Sequence, residues 1–431
     1  MYNFNELLIL FCGILFLVVV LGFINEKTLK FPYEIGLVIF GFTFCLILIV
    51  LQKLNILLIP EEILALAQQF NFNDFLIHGI LCFMLFGGVA SIKFDDFNED
   101  KFLIGSMAIV GTIISTLVYG LLFWGFGFLI QVNINFLEAL ILGSIVAPTD
   151  PISAMSILVK VGLPKRLALI VEGESLFNDG VAVAVFATLL SVLEQTTQGI
   201  SFSSFVWGLT ADIMGTVGIG LGSSFIFFQI FKFSNNRYIK IFTSILTVML
   251  AYLLCEHFEF SGPIAAVICG LYFATGIYRM QKTNTDEVTT EIHDLFYSFW
   301  AVIDNLLNGI LFLMVGLLFV DIRNINDFTP LGILAVGVGA IVINTVSRMT
   351  GVAGIVSFTK KIPFNMKKSK FTIFFTWAGL KGGLCLALVM GTGTSLAPKT
   401  YDLFLLSTYS IVLFTTLFQG LTIGKAYIKL K

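Results

Sequence analysis

The sequence predicts an all-α polytopic membrane protein of about 13 transmembrane helices, arranged as two inverted six-helix repeats with broken crossing helices. Three observations predict it. Of the 431 residues, 57% are hydrophobic and only 12% charged, about half the roughly 25% charge of a water-facing domain. The apolar residues come in repeated runs of about 20, the length a helix needs to cross about 30 Å of hydrocarbon. The few ionisable residues inside those runs gather in two consecutive spans, and helix breakers fall at matching places in the two halves. This composition excludes a soluble enzyme, a secreted disulfide scaffold, a disordered tail and a nucleic-acid binder. The expected partner is the lipid bilayer, with no nucleic acid.

Charged and turn-rich segments divide the chain into spans near 5–24, 33–51, 75–92, 102–130, 136–159, 167–193, 203–231, 241–255, 261–278, 295–320, 330–357, 371–396 and 403–423. The first begins after Met-Tyr-Asn-Phe-Asn-Glu, which lacks the basic region of a cleavable signal peptide, so it is expected to be retained. Segment 54–73, carrying Pro60, Glu61 and Glu62, reads as an interfacial loop. An odd number of spans puts the termini on opposite sides. With the C-terminus inside, the inward segments hold 20 Lys and Arg, the outward segments three, and Arg348 and Lys381 lie within spans. That asymmetry is what the positive-inside rule demands. The expected orientation is N-terminus out, with a short basic tail, 424–431, in the cytoplasm and no regulatory domain. The six cysteines lie within or beside apolar runs without metal-site spacing and read as packing residues.

An ionisable group at the bilayer centre costs at least ~2.5–3.5 kcal/mol on the insertion scale. Those well inside spans are Asp150, Glu172, Glu174, Asp179, Asp212, Asp304, Arg348 and Lys381. In span five, Ala147-Pro148-Thr149-Asp150-Pro151 places two prolines around an acidic residue. Proline removes a backbone donor and clashes with the preceding turn, so the helix should break there. Freed backbone groups are tolerated in a membrane only where buried or lining a wet cavity, which points to an ion or substrate site. In span six, Glu172-Gly173-Glu174-Ser175-Leu176-Phe177-Asn178-Asp179-Gly180 carries two polar stripes. Ser175 and Asp179 stand one turn apart, with Glu174 and Asn178 on the adjacent face. A hydroxyl and a carboxylate on one stripe suit a hard cation.

Span twelve holds Thr376-Trp377-Ala378-Gly379-Leu380-Lys381-Gly382-Gly383, where three glycines weaken the helix around a lysine. Spans five and twelve are the fifth members of two six-span sets, 1–194 and 241–423, joined by connecting helix 203–231. Seven spans separate corresponding members, so the sets are inverted. Interrupted helices at matching positions of inverted repeats mark a secondary transporter's substrate site. Lys381 is expected to counter the negative helix ends gathered where the two breaks cross. Arg348 needs a buried anion, and Glu174 is its expected partner. Asp212 and Asp304 stay outside the expected site, Asp304 close to an interface.

Together the Thr-Asp break and the Glu-Ser-Leu-Phe-Asn-Asp string resemble the NhaP-type sodium/proton antiporters. These belong to the monovalent cation:proton antiporter-1 family, with the animal sodium/hydrogen exchangers. The likeness covers essentially the whole chain, including Arg348 and Gly379-Leu380-Lys381-Gly382, where the family usually has arginine for Lys381. The resemblance implies the NhaA-like antiporter fold and a homodimer with separate dimerisation and core domains. It implies no enzyme activity and no cofactor, only transported Na⁺ or Li⁺ and H⁺. Asp179 is then the essential cation- and proton-binding carboxylate, with Asp150, Ser175 and the Thr149 carbonyl as further ligands. Asn178 is the neutral member of the Asn-Asp pair that goes with electroneutral exchange, and Glu174–Arg348 is a structural ion pair. Some members carry an acidic ligand in span three; the matching position here is Gly87, with only His78 nearby.

The expected mechanism is alternating access, with proton and cation displacing each other at Asp179, one for one, for pH homeostasis at a bacterial inner membrane. A K⁺/H⁺ antiporter uses the same ligand types. An intramembrane aspartyl protease using Asp150 and Asp179 leaves the twin breaks unexplained, and a cation channel would need a continuous pore, for which the sequence shows no filter-like ring or repeat.

Overall fold

A computed structural model of the protein describes residues 4–54, 79–90, 94–195, 202–283, 287–317, 329–359, 362–363, 366–393 and 395–430. The expected interfacial loop, apart from Leu54, and His78 lie outside the described residues.

Every regular element among the described residues is a helix, with no strand among them. The helices are α1 (Phe4–Lys27), α2 (Tyr33–Lys53), α3 (Leu81–Ala90), α4 (Phe94–Ser106), α5 (Thr112–Leu129), α6 (Phe136–Ile145), α7 (Ile152–Leu158), α8 (Lys165–Gln195) and α9 (Phe202–Phe233). They continue as α10 (Arg237–His257), α11 (Gly262–Thr283), α12 (Glu287–Leu317), α13 (Pro330–Phe358), α14 (Lys368–Ala378), α15 (Gly383–Met390), α16 (Pro398–Leu413) and α17 (Gly420–Leu430). A π-helical turn, Met107–Gly111, joins α4 to α5, and another, Phe414–Gln419, joins α16 to α17. By length and composition eight described helices could each cross a membrane, or nine counting α14 and α15 as one span bent by 60°.

Both expected breaks are present. The first opens after Ile145 and closes at Ile152; the second lies between Ala378 and Gly383. Several helices start earlier than the apolar runs. α4 begins at Phe94, α10 at Arg237 and α12 at Glu287, inside segments read as loops. Hydropathy marks the edge of the bilayer, whereas a helix ends where its backbone is capped. Asn135 caps α6 reciprocally with Glu138, Asn236 caps α10, and Thr329 with Pro330 opens α13.

Polar contacts sort the connections into two ends. Arg166 grips Asp100 through Nε–Oδ2 at 2.5 Å and Nη2–Oδ1 at 2.9 Å, joining two segments expected on the same side. At the other end Ser395 donates to Glu194 Oε1 at 2.6 Å.

The helices pack in two groups. α4 to α8 pack with α13 to α17, whereas α2, α3, α10, α11 and α12 pack with one another, α9 lying against α10 and α11. Within the second group α2 crosses α12 where Gly41 faces Gly316: a Cβ on Gly316 would sit 2.7 Å from the Phe42 nitrogen and 2.8 Å from the Val38 oxygen. Small residues let membrane helices approach backbone to backbone. Gly316→Val should therefore lower the melting temperature in detergent, by an overpacking cost of about 1–3 kcal/mol. Gly13→Ala, whose methyl meets nothing within 4 Å, should leave it unchanged or slightly raised.

Candidate functional site

The two breaks cross, and backbone joins them. The Asp150 amide donates to the Leu380 carbonyl at 2.8 Å, so an orphan donor of one break satisfies an orphan acceptor of the other. Lys381 Nζ, only 2% exposed as a residue, donates to the Ala147 carbonyl at 3.0 Å, just past the C-terminal end of α6. This is the cation that a helix C-terminus favours. The Lys381 amide donates to Thr415 Oγ1 at 3.1 Å, and Thr416 Oγ1 donates to the Lys381 carbonyl at 3.2 Å. Both threonines sit in the π-helical turn before α17. The glycines of span twelve have a second use besides weakening the helix. A Cβ on Gly379 would lie 2.7 Å from Arg348 Nε, one on Gly382 3.0 Å from Asp150 Cβ, and one on Gly383 would strike Leu311.

Beside the crossing runs a buried polar chain. Arg348 holds Glu174 bidentately, Nη1–Oε1 and Nη2–Oε2 both at 2.7 Å. Glu174 Oε1 also accepts from Asn178 Nδ2 at 2.9 Å, one turn along α8. Asn178 Nδ2 also donates to Thr149 Oγ1 at 2.6 Å, while Asn178 Oδ1 accepts from the Thr149 amide at 3.3 Å. Thr149 and Ser175 share a hydroxyl–hydroxyl hydrogen bond of 2.9 Å. Arg348, Glu174, Asn178, Ser175 and Thr149 are all buried. The chain fixes Thr149, and with it the first break, against α8.

In front of the crossing opens a cavity of about 660 Å³ lined by Thr149, Asp150 and Asp179. Asp179 is half-buried, and its Oδ1 has no hydrogen-bond partner among the described residues. Ser175, Asn178, Glu174, Arg348 and Lys381 do not line the cavity and stand behind it. The eight expected residues thus divide into three that face the cavity and five that hold them. The cavity lies between the helix groups: α3, α12 and Glu34 of α2 form one wall, the first break, α7, α8 and α15 the other. It reaches Lys160, at the end of the bundle where Arg166 meets Asp100.

A family model described as "Sodium/hydrogen exchanger, transmembrane" matches residues 13–429. The chain belongs to the sodium/hydrogen exchanger family. It is 30% identical over 411 residues to the Na⁺/H⁺ antiporter NhaP of Pseudomonas aeruginosa, covering 95% of this chain and 93% of that one. It is 31% identical over 411 residues to the Na⁺/H⁺ antiporter NhaH of Halobacillus aidingensis, covering 94% and 93%. The fold is that of the sodium proton antiporter MjNhaP1 from Methanocaldococcus jannaschii, at TM-score 0.76 and 18% identity over 99% of both chains.

At Gly87 this exchanger-family chain packs closely against Trp300. A Cβ there would stand 3.1 Å from Trp300 Cε3, and the indole is anchored by donating to Ser244 Oγ at 3.1 Å. Residues outside the expected site also face the cavity. Asp304 lines it and accepts from Asn308 Nδ2 at 3.0 Å; Glu34 and Glu172 line it too. Glu34 stands in the first turn of α2, where helix-dipole complementation accounts for a carboxylate; only the meeting of α2 with the cavity shows otherwise. Asp212 turns away from the cavity, accepting from the Ser261 amide at 3.0 Å to fix the start of α11. Thr415 and Thr416 gave no signal in the sequence, since threonine in an apolar helix ordinarily bonds its own preceding turn.

Removing one partner of a buried ion pair leaves the other uncompensated, at about 3–5 kcal/mol. Glu174→Gln and Arg348→Gln should each lower the melting temperature in detergent severely. Because both losses disrupt one network, the double variant should lose much less than the sum.

Proposed function

We propose that this chain is a secondary transporter exchanging Na⁺, or Li⁺, for H⁺ by alternating access. The observation that carries it is an unpartnered carboxylate oxygen, Asp179 Oδ1, held where a cavity ends against two crossed helix breaks. The relatives named as Na⁺/H⁺ antiporters supply the substrates. Asp179, Asp150 and the Thr149 carbonyl receive the cation. Ser175 acts through its hydrogen bond to Thr149, and Asn178 holds Thr149 in place.

Charge counting supports one cation per proton. At the crossing itself Arg348 pairs with Glu174, and Lys381 set against Asp150 and Asp179 leaves one negative charge. One Na⁺ or one H⁺ neutralises it, and a neutral site avoids the penalty of carrying bare charge through hydrocarbon. Two carboxylates with a carbonyl oxygen suit a hard cation.

The cavity's position supports the motion. It separates α4–α8 with α13–α17 from α2, α3 and α10–α12, so displacement of one group against the other would close it and expose Asp179 elsewhere. These groups serve as the core and dimerisation domains of a homodimer, built from inverted repeats 1–194 and 241–423 around connecting helix α9. The excess of Lys and Arg at the cavity's open end supports a cytoplasmic position for that end, with the N-terminus outside.

Liposomes holding a trapped pH dye test the reading. Adding Na⁺ or Li⁺ outside should alkalinise the interior, and Asp179→Asn, shown to be folded, should abolish the response. A response to K⁺ alone, or none to any cation between about pH 6 and 9, would overturn it. Because proton and cation compete, the apparent KM for Na⁺ should rise as pH falls, approaching tenfold per pH unit where the site is mostly protonated. Asn178→Asp adds a second titratable carboxylate, so exchange should become sensitive to an imposed membrane potential that leaves the wild type unaffected; equal rates at all potentials would refute that.

A further inference from the structure

A groove of about 720 Å³ lies between α9 and α11, on the side of the bundle away from the crossing. The two helices run parallel in a steady register. Asp212 accepts from the Ser261 amide, Cys269 Sγ approaches the Gly220 carbonyl at 3.5 Å, and Phe228 packs onto Gly276. That register carries Lys232 of α9 to the level of Arg279 of α11, and both line the groove together with Gln229. Its other end is apolar, walled by Val217, Leu221 and Ile268. Fifteen residues from Val217 to Lys232 rise about 22 Å. This is about half of a bilayer roughly 40–45 Å thick with its headgroups. Helix C-termini favour cations wherever they end, which accounts for Lys232 and Arg279 singly. It does not account for a concave apolar trough, one leaflet deep, that ends on both of them.

We propose that this groove binds an anionic phospholipid of the leaflet at the basic end of the bundle. Its acyl chains lie along Val217, Leu221 and Ile268, and its phosphate sits between Lys232 and Arg279 with the Gln229 amide as a further donor. Basic pockets between membrane helices recognise anionic headgroups in this way. A phospholipid fits better than a second copy of this chain, because a two-fold axis through the groove would bring the same two cations back against themselves. The site is independent of the exchange reading, since none of its residues lines the transport cavity.

Native mass spectrometry of the purified full chain in detergent, titrated with phosphatidylglycerol or phosphatidylcholine of identical acyl chains, tests the proposal. The wild type should retain phosphatidylglycerol preferentially. Lys232→Gln with Arg279→Gln should weaken that binding about thirty-fold, roughly five-fold for each cation removed, and leave phosphatidylcholine binding unchanged. Leu221→Trp, which fills the groove and keeps both cations, should weaken binding of phosphatidylglycerol as well; an unchanged melting temperature shows that each variant is folded. Equal retention of the two lipids by the wild type, or unchanged phosphatidylglycerol affinity in the folded double variant, would overturn the proposal. So would loss of a dimer mass in that variant with lipid binding intact, which would mean that a second copy covers the groove.

Discussion

Two helices broken in mid-membrane leave peptide groups that water cannot satisfy, and the fold is arranged around satisfying them. The Asp150 amide and the Leu380 carbonyl answer each other, and Lys381 answers Ala147. Thr415 and Thr416, turned inward by a π-helical turn, answer the backbone of Lys381. An unmet buried amide costs several kcal/mol in hydrocarbon, so these bonds hold the crossing closed. The glycines follow from the same demand, because Gly379, Gly382 and Gly383 are where Arg348, Asp150 and Leu311 press against the second break.

The crossing also sets the electrostatics. It brings Asp150 beside Asp179 in the cavity wall and places Lys381 and Arg348 behind them. The chain from Arg348 through Glu174 and Asn178 to Thr149 ties the first break to α8. Rigid placement of a few oxygens in a wet cavity lets one carboxylate be contested by two ligands, whereas a loosely held break would let water screen it.

Much of the site was legible because membranes penalise polarity. Asp150, Asp179, Glu174, Arg348 and Lys381 stood out as charges within apolar runs, and the prolines and glycines beside them announced the breaks. The i, i+4 relation of Glu174 to Asn178 followed from helical spacing and is a 2.9 Å hydrogen bond. Residues near span ends were harder to read. Asp304 read as close to an interface and Glu34 was not singled out, since sequence alone does not say which helix end meets a cavity. Helix ends at Phe94 and Glu287 were missed for a related reason, because charge marks the bilayer's edge and not the last capped turn.

The sequence by itself determined that the chain is helical and membrane-embedded, where its helices break, and which charged residues must find partners. Those follow from local chemistry: the missing amide of proline, the length of a hydrocarbon crossing and the cost of an unpaired charge. The tertiary structure decided which partners they find. Only packing could put Thr149, Asp150 and Asp179 on the cavity wall with Ser175 and Asn178 behind them, or set Trp300 against Gly87. Contacts such as that between Cys385 and the Pro148 carbonyl, 237 positions apart, depend on how the two breaks cross, and no local pattern encodes that.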